Sequence, residues 1–191
     1  RAGHRTAGPD PPEWATESAR CFHNHQFLFH LAEMPAPVHQ RFVVVGAGQS
    51  AAEVVRYLHG NYPPGAEVHN VFGRFGYSPP ADDSPPYANR IFDPATVDEL
   101  HSAPPREERE RLLELHRSTN YSVVDPDLIA EIYATEYRER ISGKRRLFMR
   151  RVSEVTGIDE TATGIEVQVR SGLDGLTDTL VCDAVVLATG F

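Results

Sequence analysis

The chain has 191 residues, 40% of them hydrophobic and 24% charged, with a formal net charge of −8 at pH 7. That length suits one domain with appendages, or two very small ones, and the apolar fraction is enough for a core. The acidic balance argues against a general binder of nucleic acid or of an anionic membrane. Two cysteines far apart, Cys21 and Cys182, give neither a redox dithiol nor a zinc-ligand spacing, and fit a reducing cytoplasm. No apolar run reaches the length of a membrane span and the N-terminal sequence has no signal-peptide core, so a cytoplasmic location is expected.

Residues 1–13 are rich in Pro and Gly without periodicity and read as an irregular lead-in. In residues 21–31 (CFHNHQFLFHL), His23, His25 and His30 have no acidic or cysteine partner nearby, so surface or packing histidines are expected rather than a metal site. Met34-Pro35-Ala36-Pro37 reads as a linker, which sets residues 1–39 apart from a folded unit over 40–191.

The most informative stretch is 41–53, RFVVVGAGQSAAE. Its continuous apolar run, 42–45, has the character of a buried parallel strand. Gly46 permits a tight turn, Gly48 lets backbone approach a pyrophosphate, and Ala51, third position of a GxGxxA pattern, must be small so that helix and strand can pack. The helix beginning near Gln49 then directs N–H groups and the positive end of its dipole at phosphate. The pattern alone is weak, but VVV before it and AAEVVRYL after it supply the strand–turn–helix context of a dinucleotide site.

After a helix over 49–59 and a turn over 60–65, a second strand is expected at 67–72, ending in Gly73-Arg74. An NAD site places an acidic residue at that strand's end for the ribose 2′-hydroxyl. Glu67 stands at the entrance instead. Arg74 stands at the exit, where a guanidinium can grip a 2′-phosphate through two parallel charge-assisted hydrogen bonds. NADP is therefore favoured over NAD; the plainer alternative is a solvated loop arginine.

Residues 75–94 (FGYSPPADDSPPYANRIFDP) are dense in Pro, Ser and Asp, and irregular chain of that length is usually functional. Asp93-Pro94 start a helix that Pro104-Pro105 interrupt, 106–117 reads as a charged amphipathic helix, and 119–124 as a break. Asp125-Pro126 start a further helix, ended by Gly143 as C-cap. The basic cluster Lys144-Arg145-Arg146, with Arg150 and Arg151, is expected to be a solvated strand end. From Leu147 onward the pattern turns to strands: a hairpin with strands at 151–158 and 165–169 around a turn at 159–164, then a short strand at 180–182. A second buried parallel strand at 184–187 runs into ATGF. The sum is an α/β chain: a Rossmann-like three-layer NADPH-binding domain with a small antiparallel β-meander.

Four stretches carry a family resemblance: GAGQSAAE (46–53), DDSPPYANRIFDP (82–94), TNYSVVD (119–125) and DAVVLATGF (183–191). The outer two occur in many two-dinucleotide flavoenzymes; the inner two, in this order and spacing, are far more specific. From about Cys21 onward the chain resembles the NADPH-binding domain of the flavin-dependent N-hydroxylating monooxygenases, the L-lysine and L-ornithine N-hydroxylases of siderophore biosynthesis. The resemblance implies that Gly46, Gly48, Gln49 and Ser50 line the NADPH pyrophosphate, with Ala51 counted in the same cofactor site, and that Arg74 meets the 2′-phosphate. It makes Asn89 a substrate-binding residue and places Asn120, with Ser122 beside it, between nicotinamide and amino-acid substrate. Residue type alone would give Asn89 and Asn120 to turns or helix caps. Asp82 and Asp83 are expected to order their loop, which Pro86 lengthens relative to the family's pattern.

The chemistry so implied belongs mainly to cofactors: NADPH reduces FAD, and O2 at the reduced flavin hydroxylates the neutral side-chain amine of lysine or ornithine. The protein's part is to hold nicotinamide and amine in turn and keep water away. No catalytic Ser, Cys or Lys and no metal is expected. Lysine and ornithine differ by one methylene, too little to read here, and oligomeric state, a homo-oligomer of the full-length parent included, stays open. No second glycine fingerprint for FAD occurs, since Gly3 and Gly8 sit in irregular sequence. The expectation is an incomplete portion, joined through 1–39 to a missing FAD domain, able to bind NADPH but not to turn over alone. Three rivals stand beside it. Among other two-dinucleotide flavoproteins, a disulfide reductase would need a CxxC and a Baeyer–Villiger oxygenase an FxGxxxHxxxW-like string. A second rival is a nucleotide-binding module without chemistry. The third is an NADP-dependent dehydrogenase, whose Tyr-x-x-x-Lys fails because Tyr133 and Tyr137 are followed four residues on by Tyr137 and Ile141.

Overall fold

The computed structural model describes residues 18–34, 40–80, 94–102, 105–106, 109–111, 123–162 and 164–190. Its central sheet has five parallel strands, in the order β1 (Cys21–His23), β8 (Ala184–Leu187), β2 (Arg41–Val45), β3 (Glu67–Phe72) and β4 (Leu147–Arg151). Parallel strands are covered on both faces, which is why FVVV and AVVL are apolar without alternation. Successive side chains nevertheless go to different cores. Phe42, Val44, Val68, Ala184 and Val186 pack with helices α1 (Phe27–Glu33) and α2 (Gln49–Asn61). Beyond α3 (Pro94–Ser102), helix α4 (Pro126–Ser142) adds Leu128 and Ile132 to that core. Val43, Val45, Val71, Val185 and Leu187 pack against an antiparallel meander of β5 (Ser153–Thr161), β6 (Gly164–Ser171) and β7 (Thr177–Cys182). Helices, parallel sheet and meander make the three layers.

Several boundaries differ from the sequence reading. Residues 18–34, assigned to the lead-in, include β1, which pairs with β8 and buries Phe22 completely. A strand of three residues is too short to show a period. Within the same segment His30 stacks on Phe22 at 4.7 Å, a packing role. Strand character was expected from Leu147 without a separate strand before the hairpin, yet residues 147–151 form β4, which pairs with β3 throughout. The meander strands pair as far as Thr161 opposite Gly164, so the turn between them is tighter than 159–164.

Arg146 is a further correction, being structural rather than solvated. Its guanidinium donates to the carbonyls of Ala66 (3.1 Å), His59 (3.2 Å) and Tyr62 (2.9 Å), closing the C-terminal end of α2. Glu139 on α4 accepts from His59 Nε2 (2.6 Å) and from the backbone N–H groups of Arg146 (2.7 Å) and Leu147 (2.8 Å). Burial pushes this carboxyl's pKa up, but these hydrogen bonds outweigh it and hold the value below the ordinary 4.5. A depressed carboxyl contributes stability that is full above its unfolded value and disappears as pH falls through the lower, folded one. Glu139→Ala should therefore cost about 2–3 kcal/mol near pH 7, with the difference from wild type shrinking in acid well below pH 4.5. Denaturant unfolding at several pH values checks it; a pH-independent difference would contradict the assignment.

Candidate dinucleotide site

At the carboxyl end of β2 the chain turns at Gly46, whose φ of 134° lies in glycine territory. Its N–H donates to Val71 O (3.0 Å), tying the turn to the end of β3. On its other side runs the backbone that leaves β8. A Cβ at Gly46 would stand 2.1 Å from the Ala188 carbonyl oxygen, and Ala188 N–H donates to Val45 O (2.8 Å). Gly48 then forms the N-cap of α2 in extended conformation, supplying no capping side chain, and the first turn of the helix carries no acidic residue. The positive end of a thirteen-residue helix thus opens at the sheet's carboxyl edge. It does so between β2, whose successors β3 and β4 lie on one side, and β8, which returns on the other. Ligands of open α/β sheets bind at such a switch point, and a Gly46-Ala47-Gly48 turn whose one side chain is a methyl group, placed before a helix N-terminus, fits a pyrophosphate.

The individual residues fall into place unevenly. Gly46 and Gly48 form the turn, and Ser50 is exposed in the first turn of α2. Ala51 is fully buried in the helical core. It performs the packing part of the third position and has no surface to offer a nucleotide, which corrects its place among the cofactor contacts. The Gln49 side chain is engaged within the protein: Oε1 accepts Asp125 N–H (2.8 Å) and Nε2 donates to Glu53 (2.9 Å). Asp125 in turn caps α4 through Asp127 N (2.9 Å) and Leu128 N (3.2 Å), with Pro126 at the first helical position, as its Asp-Pro start implies. Gln49 therefore joins the beginnings of α2 and α4.

Glu67 pairs with Arg41 (3.7 Å) at the amino end of β3, opposite the glycine turn. At the carboxyl end follow Gly73 and Arg74, and 73–78 holds no carboxylate that could take a ribose 2′-hydroxyl. Arg74 is half-buried and its carbonyl accepts Val152 N–H (3.0 Å). Asn89, Asn120 and Ser122, like Asp82, Asp83 and Pro86, lie outside the described residues.

The sequence reading missed Asn70, on the helical face of β3 and fully buried. Its Nδ2 donates to Val44 O (2.9 Å) and Gly46 O (3.0 Å), and its Oδ1 accepts from the Tyr77 hydroxyl (2.6 Å). Burial pushes the Tyr77 phenol far up, so it stays a donor. Asn is unfavourable in a strand and a buried amide must be satisfied, so an Asn inside EVHNVF was the available signal.

Parallel sheet, flanking helices and antiparallel meander define a Rossmann-like three-layer α/β fold. Residues 6–191 match the family model for L-lysine 6-monooxygenase/L-ornithine 5-monooxygenase, and the chain belongs to that family. It is 40% identical over 174 residues to the L-ornithine N(5)-monooxygenase of Pseudomonas aeruginosa, a match covering 90% of this chain and 38% of that protein. Among solved structures it resembles the Kutzneria sp. 744 ornithine N-hydroxylase with reduced FAD, NADP+ and L-ornithine. The TM-score there is 0.83 at 35% identity, covering 95% of this chain and 43% of that one. The L-lysine 6-monooxygenase from Pseudomonas syringae gives a TM-score of 0.74 at 34% identity, covering 96% of this chain and 43% of that one. The chain thus spans about two fifths of the length of these relatives.

Proposed function

We propose that this chain is the NADPH-binding portion of a flavin-dependent monooxygenase that N-hydroxylates the side-chain amine of L-ornithine or L-lysine in hydroxamate siderophore biosynthesis. The observation that carries the reading is the tight Gly46-Ala47-Gly48 turn at the start of α2, followed one strand later by Arg74 in a stretch, 73–78, without a carboxylate for a ribose 2′-hydroxyl. Backbone at Gly46 and Gly48 with the first N–H groups of α2, at Gln49 and Ser50, would receive the pyrophosphate. Arg74 would receive the 2′-phosphate. Asn89, Asn120 and Ser122 are proposed for the amino acid and the nicotinamide end. FAD bound in the longer parent and reduced by NADPH would supply the oxygen chemistry; this chain's residues bind and orient. L-ornithine is placed first because the two relatives at 40% identity are both ornithine enzymes. No helix among the described residues is long and apolar enough to cross a membrane, and work with NADPH in the cytoplasm is part of the proposal. The test is the full-length parent: bound FAD, and hydroxylamine formed from ornithine or lysine only with NADPH and O2, are expected. A flavin-free parent, or one that oxidises NADPH without ever forming a hydroxylamine, would reject the reading.

A further inference from the structure

The segment that carries Arg74 and the turn that carries Gly46 are separate in sequence, yet one side-chain relay joins them. Asn70 stands between: Nδ2 holds the carbonyls of Val44 and Gly46, while Oδ1 receives the Tyr77 hydroxyl at 2.6 Å. Tyr77 belongs to the stretch that leaves β3, and its ring stacks on Phe72 at 5.5 Å. Arg74 therefore lies in a short arch, with Phe72 and Tyr77 stacked at its two feet. The arch is also held by Val152 N–H on Arg74 O (3.0 Å) and Val124 N–H on Ser78 O (2.8 Å), but those bonds lead to β4 and α4, not to the glycine turn.

We infer that Asn70 and Tyr77 are positioning residues for the dinucleotide, a relay that sets the spacing between the pyrophosphate turn and the 2′-phosphate arginine. The inference rests on the NADPH reading and adds to it how two phosphate subsites are kept in register. A fully buried Asn with every bond directed at this edge needs such a reason, because an apolar residue would serve the core better. The two ends of the relay have different signatures. Tyr77→Phe keeps the stacked ring and leaves both Asn70 donor bonds in place, so the glycine turn is retained while the Arg74 arch loses its side-chain link to that turn. Asn70→Ser removes the hold on the Gly46 carbonyl, so the pyrophosphate, common to both nucleotides, is affected.

The experiment is calorimetric titration of the chain and both variants with NADP+ and with NAD+, alongside thermal unfolding. For Tyr77→Phe the Kd for NADP+ should rise about five- to tenfold, the effect of one lost hydrogen bond, with the Kd for NAD+ changing less than about twofold. Asn70→Ser should weaken both nucleotides by similar factors. Unchanged NADP+ affinity in Tyr77→Phe, or equal loss for both nucleotides in that variant, overturns the relay while the cofactor reading stands. A wild-type chain that binds neither nucleotide overturns both, and is told apart by failing before any variant is compared.

Discussion

Gly46→Ala should abolish NADP+ binding and lower stability by about 3 kcal/mol or more. Two independent costs meet at this position. The backbone sits at φ 134°, where an L side chain is strained whatever space surrounds it. The added methyl would also be driven to 2.1 Å from the Ala188 carbonyl oxygen, a main-chain atom that cannot rotate aside. Relief requires the β2 turn and the strand exit of β8 to separate. That breaks Gly46 N–H to Val71 O and Ala188 N–H to Val45 O, and pulls Gly46 O from Asn70. Thermal unfolding reads the first effect and titration with NADP+ the second. An alanine variant that binds NADP+ as the wild type does would show that the phosphates lie elsewhere.

Arg74→Ala should raise the Kd for NADP+ by roughly 10- to 150-fold, the equivalent of about 1.5–3 kcal/mol for a charge-assisted pair, and leave NAD+ nearly untouched. The asymmetry is the informative part, because the two nucleotides differ only in the phosphate that the guanidinium is proposed to hold. Arg74→Lys should fall between, keeping a positive charge but losing the planar fork. Equal loss for both nucleotides would mean that Arg74 supports the arch rather than reading the 2′-phosphate.

Much of the fold was legible where one local rule dominates. β2 and the start of α2 follow from an apolar run and a glycine turn, β3 from its place between the turn at 60–65 and Gly73, and the structure ends these strands at the expected residues. α4 was bounded by its own chemistry, Asp125-Pro126 at one end and Gly143 at φ 71° at the other. What sequence could not show depends on partners distant in the chain. β1 is a strand only because β8 lies beside it, Cys21 pairing with Val185, 164 positions further along the chain (185 − 21). Arg146 looked solvated because its three carbonyl partners, on His59, Tyr62 and Ala66, reach it only when the end of α2 and the start of β4 have packed.

The site divides in the same way. The turn at Gly46 and Gly48 and the place of Arg74 just after β3 could be read from spacing, since a strand–turn–helix boundary is a local device. Ala51 was read correctly as a packing residue and wrongly as a contact, because one small side chain cannot serve a sealed core and a ligand at once. The engagement of Gln49 with Asp125 and the relay through Asn70 and Tyr77 are tertiary facts, with no period or motif to announce them.

The central claim is that a dinucleotide phosphate chain lies on the Gly46 turn. Backbone amide chemical-shift mapping of the chain during titration with NADP+ tests it most directly. The account predicts that the largest shifts fall on the amides of Gly46, Gly48, Gln49 and Ser50, with Arg74 responding to NADP+ but not to NAD+. Shifts centred elsewhere, or none at millimolar nucleotide, would contradict it.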